Sequence, residues 1–244
     1  MIFLLGGHDL EMLEIRKLLE REGKQCFDAD LRWDNADLQA YHDIIVQNLE
    51  EQFVGVELRD ANGIAPEHYT LVDHHNEYSC RPASILQVAE MLVVEPDERM
   101  RLVAANDSGY IPAMKAMGAS DETIAAIRRE DRLAQGVTEE DEALAERSIK
   151  NHLLRAGNIL TVYALTSRFS AICDRLFPYR SLLIYNDEEW VFYGEGKSTI
   201  ACRMDEHIAT KRVYQGGGDN GYIGSVKKAF SPQEIKHFVS SLTQ

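Results

Sequence analysis

The stretch Tyr69-Thr70-Leu71-Val72-Asp73-His74-His75-Asn76 decides both the fold and the candidate chemistry of this chain. Its first half is an apolar run of the length of a buried strand, and its second half is a carboxylate, two imidazoles and an amide. In open α/β sheets, ligands bind at the carboxyl ends of the strands. Because imidazole and carboxylate groups together suit Mn²⁺, Zn²⁺ or Fe²⁺, the stretch predicts a metal-binding cluster at a strand end.

The composition is that of a soluble globular protein, and 244 residues suffice for two modest domains or one large one. The formal net charge of −14 disfavours long nucleic acid as a partner, because most of the surface repels a phosphate backbone. It does not exclude a small phosphate ester at a metal site, since bound cations reverse the local field.

The location in the cell is predicted from cysteine usage and hydropathy. The four cysteines are scattered and form no Cys-x-x-Cys pair, which favours a reducing compartment without disulfides or a zinc ribbon. No apolar stretch is long enough to cross a bilayer, and the start of the chain is typical of a first strand rather than a signal peptide. We therefore expect a cytoplasmic protein that does not bind membranes.

Short apolar runs alternate with amphipathic segments along the first half of the chain. The runs predict strands at residues 2–5, 26–27, 44–46, 53–56 and 71–72, and the segments between several of them have helical spacing. Such alternation is typical of a Rossmann-like parallel sheet. We assign residues 1–120 to this α/β domain.

The second half of the chain has a different pattern. Helical spacing over residues 121–156 predicts a helical connector, in which Thr138 and Asp141 resemble a capping box. Residues 157–244 predict a smaller mixed α+β domain. It contains a hairpin (181–185 with 190–193), a strand at 198–202 and a last helix that begins at the capping box of Ser231 and Glu234.

The Asp73-His74-His75 cluster, with His8 before it and Asp107 after it, resembles the signature of the DHH phosphoesterase superfamily. That family carries His-x-x-x-Asp-x-Asp after its first strand, where the carboxylates hold two metal ions. In this chain His8 matches the histidine, whereas Met12 and Glu14 stand at the two aspartate positions. Asp9 or Glu11 is an alternative ligand in this segment. The spacing of Leu13 and Ile15 equally allows Glu11 and Glu14 to lie on the solvated face of an amphipathic helix.

The family also has a metal-bridging aspartate just after a strand that precedes the Asp-His-His stretch. The end of the run at 44–46 offers Asn48 at this place, and Asp60 follows the run at 53–56. An amide oxygen cannot bridge two ions as a carboxylate does. The choice between Asn48 and Asp60 stays open on sequence grounds.

The resemblance implies a role for each matching residue. His8, His74 and Asp107 would hold metal, with Asp9, Glu14, Asn48 and Asp60 as further candidate ligands. Asp73 would orient the cluster, and His75 would face the substrate phosphate, so these two are the candidate catalytic residues.

Near the end of the chain, a glycine stretch resembles the Gly-Gly-Gly-His motif of the DHH-associated C-terminal domain. It consists of Gly216, Gly217, Gly218 and Asp219, with aspartate in place of the family's histidine. Glycines let backbone amides approach a phosphate closely, so the resemblance implies a substrate-binding turn. The alternative is a flexible glycine turn between two strands.

The leading hypothesis is therefore a metal-dependent phosphoesterase, with Mn²⁺ as the expected cofactor and a small nucleotide or other phosphorylated molecule as substrate. The alternative is a non-catalytic relative that binds a nucleotide or a partner and has lost its two-metal centre. The sequence does not specify the oligomeric state, for which a homodimer is one option.

Overall fold

A computed structural model describes residues 1–33, 35–217 and 221–243 of the chain. The chain divides into two compact units, Met1–Gly136 and Val137–Gln244. The first unit is built around a four-stranded sheet in the order β2-β1-β3-β4. All neighbouring strands in it are parallel: β1 (Ile2–Leu5), β2 (Gln25–Asp28), β3 (Phe53–Val56) and β4 (Tyr69–Val72).

The parallel sheet is covered on both faces, as its continuous apolar runs require. Phe3, Leu5 and Val54 pack into one apolar cluster with residues of the helices α1 (Leu10–Arg21) and α3 (Ser84–Met91). Ile2 and Leu4 point to the opposite face and pack against the segment around Tyr41. The helices of this unit are α1 (Leu10–Arg21), α2 (His42–Gln47), α3 (Ser84–Met91), α4 (Glu98–Ala116) and α5 (Asp121–Ala134).

The predicted strand at residues 44–46 is wrong, because these residues belong to α2. Ile45 is 4% exposed, whereas its neighbour Val46 is 53% exposed. The buried residues Leu38, Tyr41 and Ile45 follow the 3–4 spacing of a helix that covers one face of the sheet. Three consecutive β-branched residues resemble a strand locally, but burial follows the helical period here.

The second unit is organised around a six-stranded mixed sheet in the order β5-β6-β7-β8-β10-β9. Strands β6 and β7 are parallel, and the other neighbouring pairs are antiparallel. The strands are β5 (Leu153–Ala156), β6 (Ile159–Tyr163), β7 (Ser181–Tyr185), β8 (Trp190–Gly194), β9 (Val213–Gly216) and β10 (Tyr222–Ser225). The helices are α6 (Glu139–His152), α7 (Ser170–Leu176), α8 (Lys197–Arg203), α9 (Asp205–Ala209) and α10 (Pro232–Thr243).

The predicted hairpin is confirmed as the antiparallel pair β7–β8. Both predicted helix starts are confirmed as well, since Thr138 with Asp141 and Ser231 with Glu234 form capping boxes. The predicted strand at 198–202 is wrong, because this segment lies in α8. The predicted α/β fold, with a parallel sheet followed by a mixed domain, is confirmed.

The boundary between the two units, after Gly136, falls inside residues 121–156, for which the sequence predicts a helical connector. Helix α5 packs on α1 and α4 of the first unit, whereas α6 packs on α7 and β6 of the second. The two helices pack in different units because their buried residues differ. Helix α5 buries Ile124 and Ile127 in the first unit, whereas Val137, just before α6, and Ala145, within α6, lie in the core of the second. No helix among the described residues is long and apolar enough to span a membrane.

The burial of Ile45, but not of Val46, in α2 can be tested with two neighbouring substitutions. Ile45→Ala should lower the free energy of unfolding by about 2–5 kcal/mol, because it leaves a cavity in the core. Val46→Ala should change it by less than about 0.5 kcal/mol, because this side chain is largely solvated. Urea denaturation measures both. Similar losses at the two positions would contradict the burial of one side of this segment.

Candidate metal centre

Three loops of the first unit leave the sheet at the same edge. They follow the carboxyl ends of the parallel, adjacent strands β1, β3 and β4 and begin at Gly6, Glu57 and Asp73, respectively. Because parallel strands end at a common edge, these loops place their polar side chains together.

Gly6 is what allows the first two of these loops to pack closely. A Cβ at this position would lie 2.4 Å from the backbone carbonyl oxygen of Glu57 and 2.6 Å from that of Val56. Glu57 itself has a positive φ of 55°, an uncommon conformation for a residue with a side chain. This turn brings the carboxylate of Glu57 into the buried edge of the sheet. The Glu57 side chain is 8% exposed.

Glu11 reaches the same place from the first turn of α1. The helix begins after Asp9, whose Oδ1 accepts a hydrogen bond from the Met12 backbone N–H at 2.9 Å. Glu11 is 2% exposed, and its Oε1 accepts the backbone N–H of Ile85 at 2.9 Å. Ile85 lies in the first turn of α3, where the helix dipole stabilises a negative charge. One oxygen of Glu11 is thus anchored, and Oε2 points into the cluster.

His74 lies at the centre of the cluster and is 7% exposed. Its Nε2 is 3.4 Å from Glu11 Oε2, 3.7 Å from Glu57 Oε1 and 2.6 Å from Asp107 Oδ2. Asp107 comes from α4, so the four side chains are supplied by four different parts of the chain.

These four buried atoms have no hydrogen-bond partner among the described residues: Glu11 Oε2, Glu57 Oε1, His74 Nε2 and Asp107 Oδ2. The 2.6 Å contact between His74 and Asp107 lacks the angles of a hydrogen bond. Buried polar atoms are normally paired, and four unpaired ones that converge require a common partner. Three carboxylate oxygens and one imidazole nitrogen are ligands suited to a divalent metal ion such as Mn²⁺.

The charges of the cluster lead to the same conclusion. Burial, together with the carboxylates of Glu11, Asp9 and Asp107, raises the pKa of Glu57 well above its ordinary value. Burial and the charge of Asp107 likewise raise the pKa of Asp9 to about 7. Burial disfavours the imidazolium form of His74, but Asp107 and Glu11 outweigh this effect and raise its pKa to about 10. The carboxylates repel one another, and a positive charge between them, either a proton on His74 or a bound metal ion, relieves the repulsion.

His75 is more accessible than His74, with 32% of its side chain exposed. Its ring lies 4.2 Å from that of His74, centroid to centroid. The Asp73 Oδ1 accepts the backbone N–H of His75 at 2.7 Å and lies 3.2 Å from its Nδ1. Asp73 therefore fixes the ring of His75, and the other ring nitrogen, Nε2, is not engaged by this contact.

Two overlapping sets of three side chains have metal-type spacing among the described residues, and His74 belongs to both. One set is Glu11, His74 and Asp107, and the other is Glu57, His74 and His75. Within each set the ligand atoms lie within 4.8 Å of one another. Of the residues named from the sequence, His74, His75 and Asp107 are thus brought together, and the charge of Asp107 raises the pKa of Asp9.

Two of the candidate ligands near the start of the chain are engaged elsewhere. His8 lies on the surface, where its Nδ1 is 2.7 Å from Asp30 Oδ1. Glu14 accepts hydrogen bonds from Lys17 at 2.7 Å and Arg99 at 2.9 Å. The carboxylate that α1 contributes to the cluster is Glu11, the alternative to Asp9 in this segment.

The two candidates for the bridging position also lie outside both sets. Asn48 donates from Nδ2 to the carbonyl of Ile44 at 2.8 Å and so caps α2. Asp60 accepts the backbone N–H groups of residues 64 and 65 in an exposed turn. The carboxylate at the strand end is Glu57, which follows β3 directly.

Glu57 was missed by sequence reasoning, and Glu11 was named only as an alternative ligand, although each has a recognisable signal. Glu57 ends an apolar strand in the same way as Asp73, but the mistaken strand at 44–46 placed the expected bridging position elsewhere. Glu11 is four and seven residues before Ile15 and Leu18, so it shares the buried face of α1. A charged residue on an apolar helix face is the signal that could have identified it.

The glycine stretch lies partly outside the described residues, which end at Gly217 and resume at Gly221. Gly218 and Asp219 are therefore without a structural account. A Cβ at Gly216 would lie 2.6 Å from the hydroxyl oxygen of Tyr222, and Gly217 has a positive φ of 69°. Gly217 therefore has the left-handed backbone conformation that favours glycine, and the predicted contact of these glycines with substrate stays a prediction.

No protein-family model and no curated protein matches the sequence. Among solved structures, a DHH domain from a protein described as a member of a family of ribosomal proteins aligns with 100% of this chain and 86% of its own, with a TM-score of 0.57 and 12% identity. The chain has the DHH fold. The resemblance based on Asp73, His74 and His75 is thereby confirmed for the fold.

Two other solved structures are similar to this DHH-fold chain over nearly its full length. The pGpG-specific phosphodiesterase PggH from Vibrio cholerae has a TM-score of 0.52 at 13% identity, covering 99% of this chain and 96% of that one. An exopolyphosphatase-related protein from Bacteroides fragilis has a TM-score of 0.50 at 12% identity, covering 99% and 91%. At such low identity these likenesses show the fold alone.

The close approach at Gly6 yields a test of how the site is built. Gly6→Ala should lower the free energy of unfolding by about 1–3 kcal/mol, because the new methyl group must displace the backbone of Glu57. Gly7→Ala is the matched control, since its nearest contact would be the flexible terminal methyl group of Met12 at 3.1 Å. Urea denaturation should show a distinctly smaller loss for Gly7→Ala. Equal losses would contradict the close packing of the two loops.

Proposed function

We propose that this protein is a metal-dependent phosphoesterase that hydrolyses a small phosphorylated substrate, such as a short nucleotide. The observation that carries the proposal is the convergence of four buried, unpaired ligand atoms on one point, from Glu11, Glu57, His74 and Asp107. Such an arrangement is costly to bury unless a cation binds it.

The fold supports the proposal independently. Two of the similar structures are named for the cleavage of phosphate linkages, one as a pGpG-specific phosphodiesterase and one as exopolyphosphatase-related. A small substrate suits the net charge of −14, which opposes a long nucleic-acid footprint.

In this proposal Glu11, His74 and Asp107 hold one divalent ion, with Mn²⁺ as the first choice. Glu57 would add a further carboxylate to the same position, since its Oε1 lies 3.7 Å from His74 Nε2. A metal ion bound there would lower the pKa of a water molecule and neutralise charge on the phosphoryl oxygens. Glu11 is held ready for this role, because its second oxygen is fixed by the N–H of Ile85.

His75 is the residue we assign to the substrate phosphate. Its contact with Asp73 raises the pKa of its imidazole and orients the ring. An imidazolium whose Nδ1 faces Asp73 can donate from Nε2 to a phosphoryl oxygen. The accessible position of His75, compared with the buried His74, favours this division of roles.

A second candidate function is a non-catalytic nucleotide- or partner-binding protein of the same fold. It is favoured by the position of Met12, which is 2% exposed in the apolar core where the family resemblance calls for a ligating aspartate. Metal content distinguishes the two functions. Tightly bound ions favour the enzyme, whereas a metal-free protein that binds nucleotide favours the binding module.

The first test of the enzyme is the removal of the central ligand. His74→Ala should weaken Mn²⁺ binding by more than the about 10–100-fold typical of residues that merely support ligands, because an imidazole bond to the ion is lost. Isothermal titration with Mn²⁺ measures the affinity, and a panel of phosphoester substrates measures hydrolysis. His68→Ala is the control, since this histidine is exposed and lies outside both ligand sets. Equal Mn²⁺ affinity in wild type and His74→Ala would refute the assignment.

The second test locates the carboxylate at the end of β3. Glu57→Gln keeps the size of the side chain but removes its charge, so it should reduce hydrolysis by at least about tenfold with a folded protein. Asp60→Asn is the matched control, because this residue caps an exposed turn. If Asp60→Asn abolishes hydrolysis while Glu57→Gln leaves it unchanged, the bridging position is Asp60.

A further inference from the structure

A buried ion pair lies on α5, behind the ligand cluster of the first unit. Arg128 and Asp131 are 8% and 5% exposed, and Arg128 Nη1 donates to Asp131 Oδ2 at 2.7 Å. Charged residues are rarely buried to this extent, and burying a pair contributes little net stability. The proposed chemistry uses neither residue, so their position calls for another explanation.

Each member of the pair hydrogen-bonds to a residue next to a different ligand of the cluster. Asp131 Oδ1 accepts the backbone N–H of Leu10 at 3.2 Å, and Leu10 lies between Asp9 and Glu11. Arg128 Nη1 also donates to Asn106 Oδ1 at 2.9 Å, and Asn106 is the neighbour of Asp107. The pair therefore connects the first turn of α1 to the part of α4 that carries the aspartate.

Arg128 also contacts a distorted residue close to Asp107. Its guanidinium carbon lies 4.6 Å from the ring centroid of Tyr110, a cation–π distance. Tyr110 has φ 58° and ψ −152°, which interrupts α4 three residues after Asp107. Such backbone strain persists only where the surroundings hold it in place, and Arg128 is part of those surroundings.

We propose that Arg128 is a positioning residue for the metal centre, an inference that rests on the proposed function. By holding Asp131 and Asn106 at once, it sets the distance between Glu11 and Asp107. Carboxylates that repel one another move apart unless the framework behind them is rigid. A site with fixed ligands binds its ion more tightly than one that must be assembled.

The test compares Arg128→Gln with Arg99→Gln. Arg99 on α4 pairs with Glu14 on α1 and Glu130 on α5, so it joins the same three helices without touching the ligand cluster. Mn²⁺ affinity is measured by isothermal titration below the melting temperature of each variant, and urea denaturation gives the stability separately. We expect Arg128→Gln to weaken Mn²⁺ binding by about 10–100-fold. We expect Arg99→Gln to change it by about twofold or less.

A milder variant keeps the proposal testable if Arg128→Gln does not fold. Asn106→Ala preserves the buried ion pair and removes only the hydrogen bond from Arg128 to Asn106, the residue next to Asp107. It should weaken Mn²⁺ binding by about 3–10-fold, as expected for one lost hydrogen bond. When Arg128→Gln does fold, the variant that combines Arg128→Gln with Asn106→Ala should bind Mn²⁺ no more weakly than Arg128→Gln alone. Both substitutions remove the same hydrogen bond between Arg128 and Asn106, so their effects should not add.

Three results would overturn the inference. The first is wild-type affinity in Arg128→Gln or, where that variant does not fold, in Asn106→Ala. The second is an equal loss in Arg99→Gln and Arg128→Gln, which would indicate general helix packing. Both leave the proposed function intact. The third is a wild-type protein that binds no Mn²⁺, which would overturn the proposed function and this inference with it.

Discussion

The constraint on which the first unit depends is the mutual repulsion of carboxylates gathered around His74. Glu11, Glu57 and Asp107 each place one unpaired oxygen within 4 Å of the same ring nitrogen, in a setting largely closed to solvent. Low polarity strengthens such repulsion, so the arrangement is expensive unless a cation or protons intervene. A protein that needed only stability would place apolar side chains here. We propose that the cluster is a binding site whose cost in stability the rest of the unit offsets.

Several features of the fold hold the repelling carboxylates together. The parallel sheet brings three strand ends to one edge, and Gly6 lets two of the loops touch. The start of α3 anchors one oxygen of Glu11, and the buried pair of Arg128 and Asp131 supports α1 and α4 from behind. Backbone strain at Glu57 and Tyr110 lies close to the cluster. Strained residues are often found at functional sites because only a well-packed framework can hold them.

The fold class and the centre of the candidate site could be predicted from the sequence, because both depend on local patterns. Apolar runs mark the strands, and the polar cluster after residue 72 marks the strand end. The failures have physical causes. Residues 44–46 resemble a strand because they are β-branched, yet their burial follows a helix. Glu57 was missed, and Glu11 stayed one alternative among several, because membership of the cluster depends on which face a helix buries and where a strand truly ends. Those are properties of packing, which a short motif does not contain.

The central claim is that a divalent ion completes the group around His74. Crystals grown with Mn²⁺ and measured at the manganese absorption edge test it most directly. The account predicts an anomalous peak at about 2.0–2.6 Å from His74 Nε2, with oxygens of Glu11 and Asp107 at similar distances. No peak there at saturating Mn²⁺, with His74 still resting against Asp107, would contradict it.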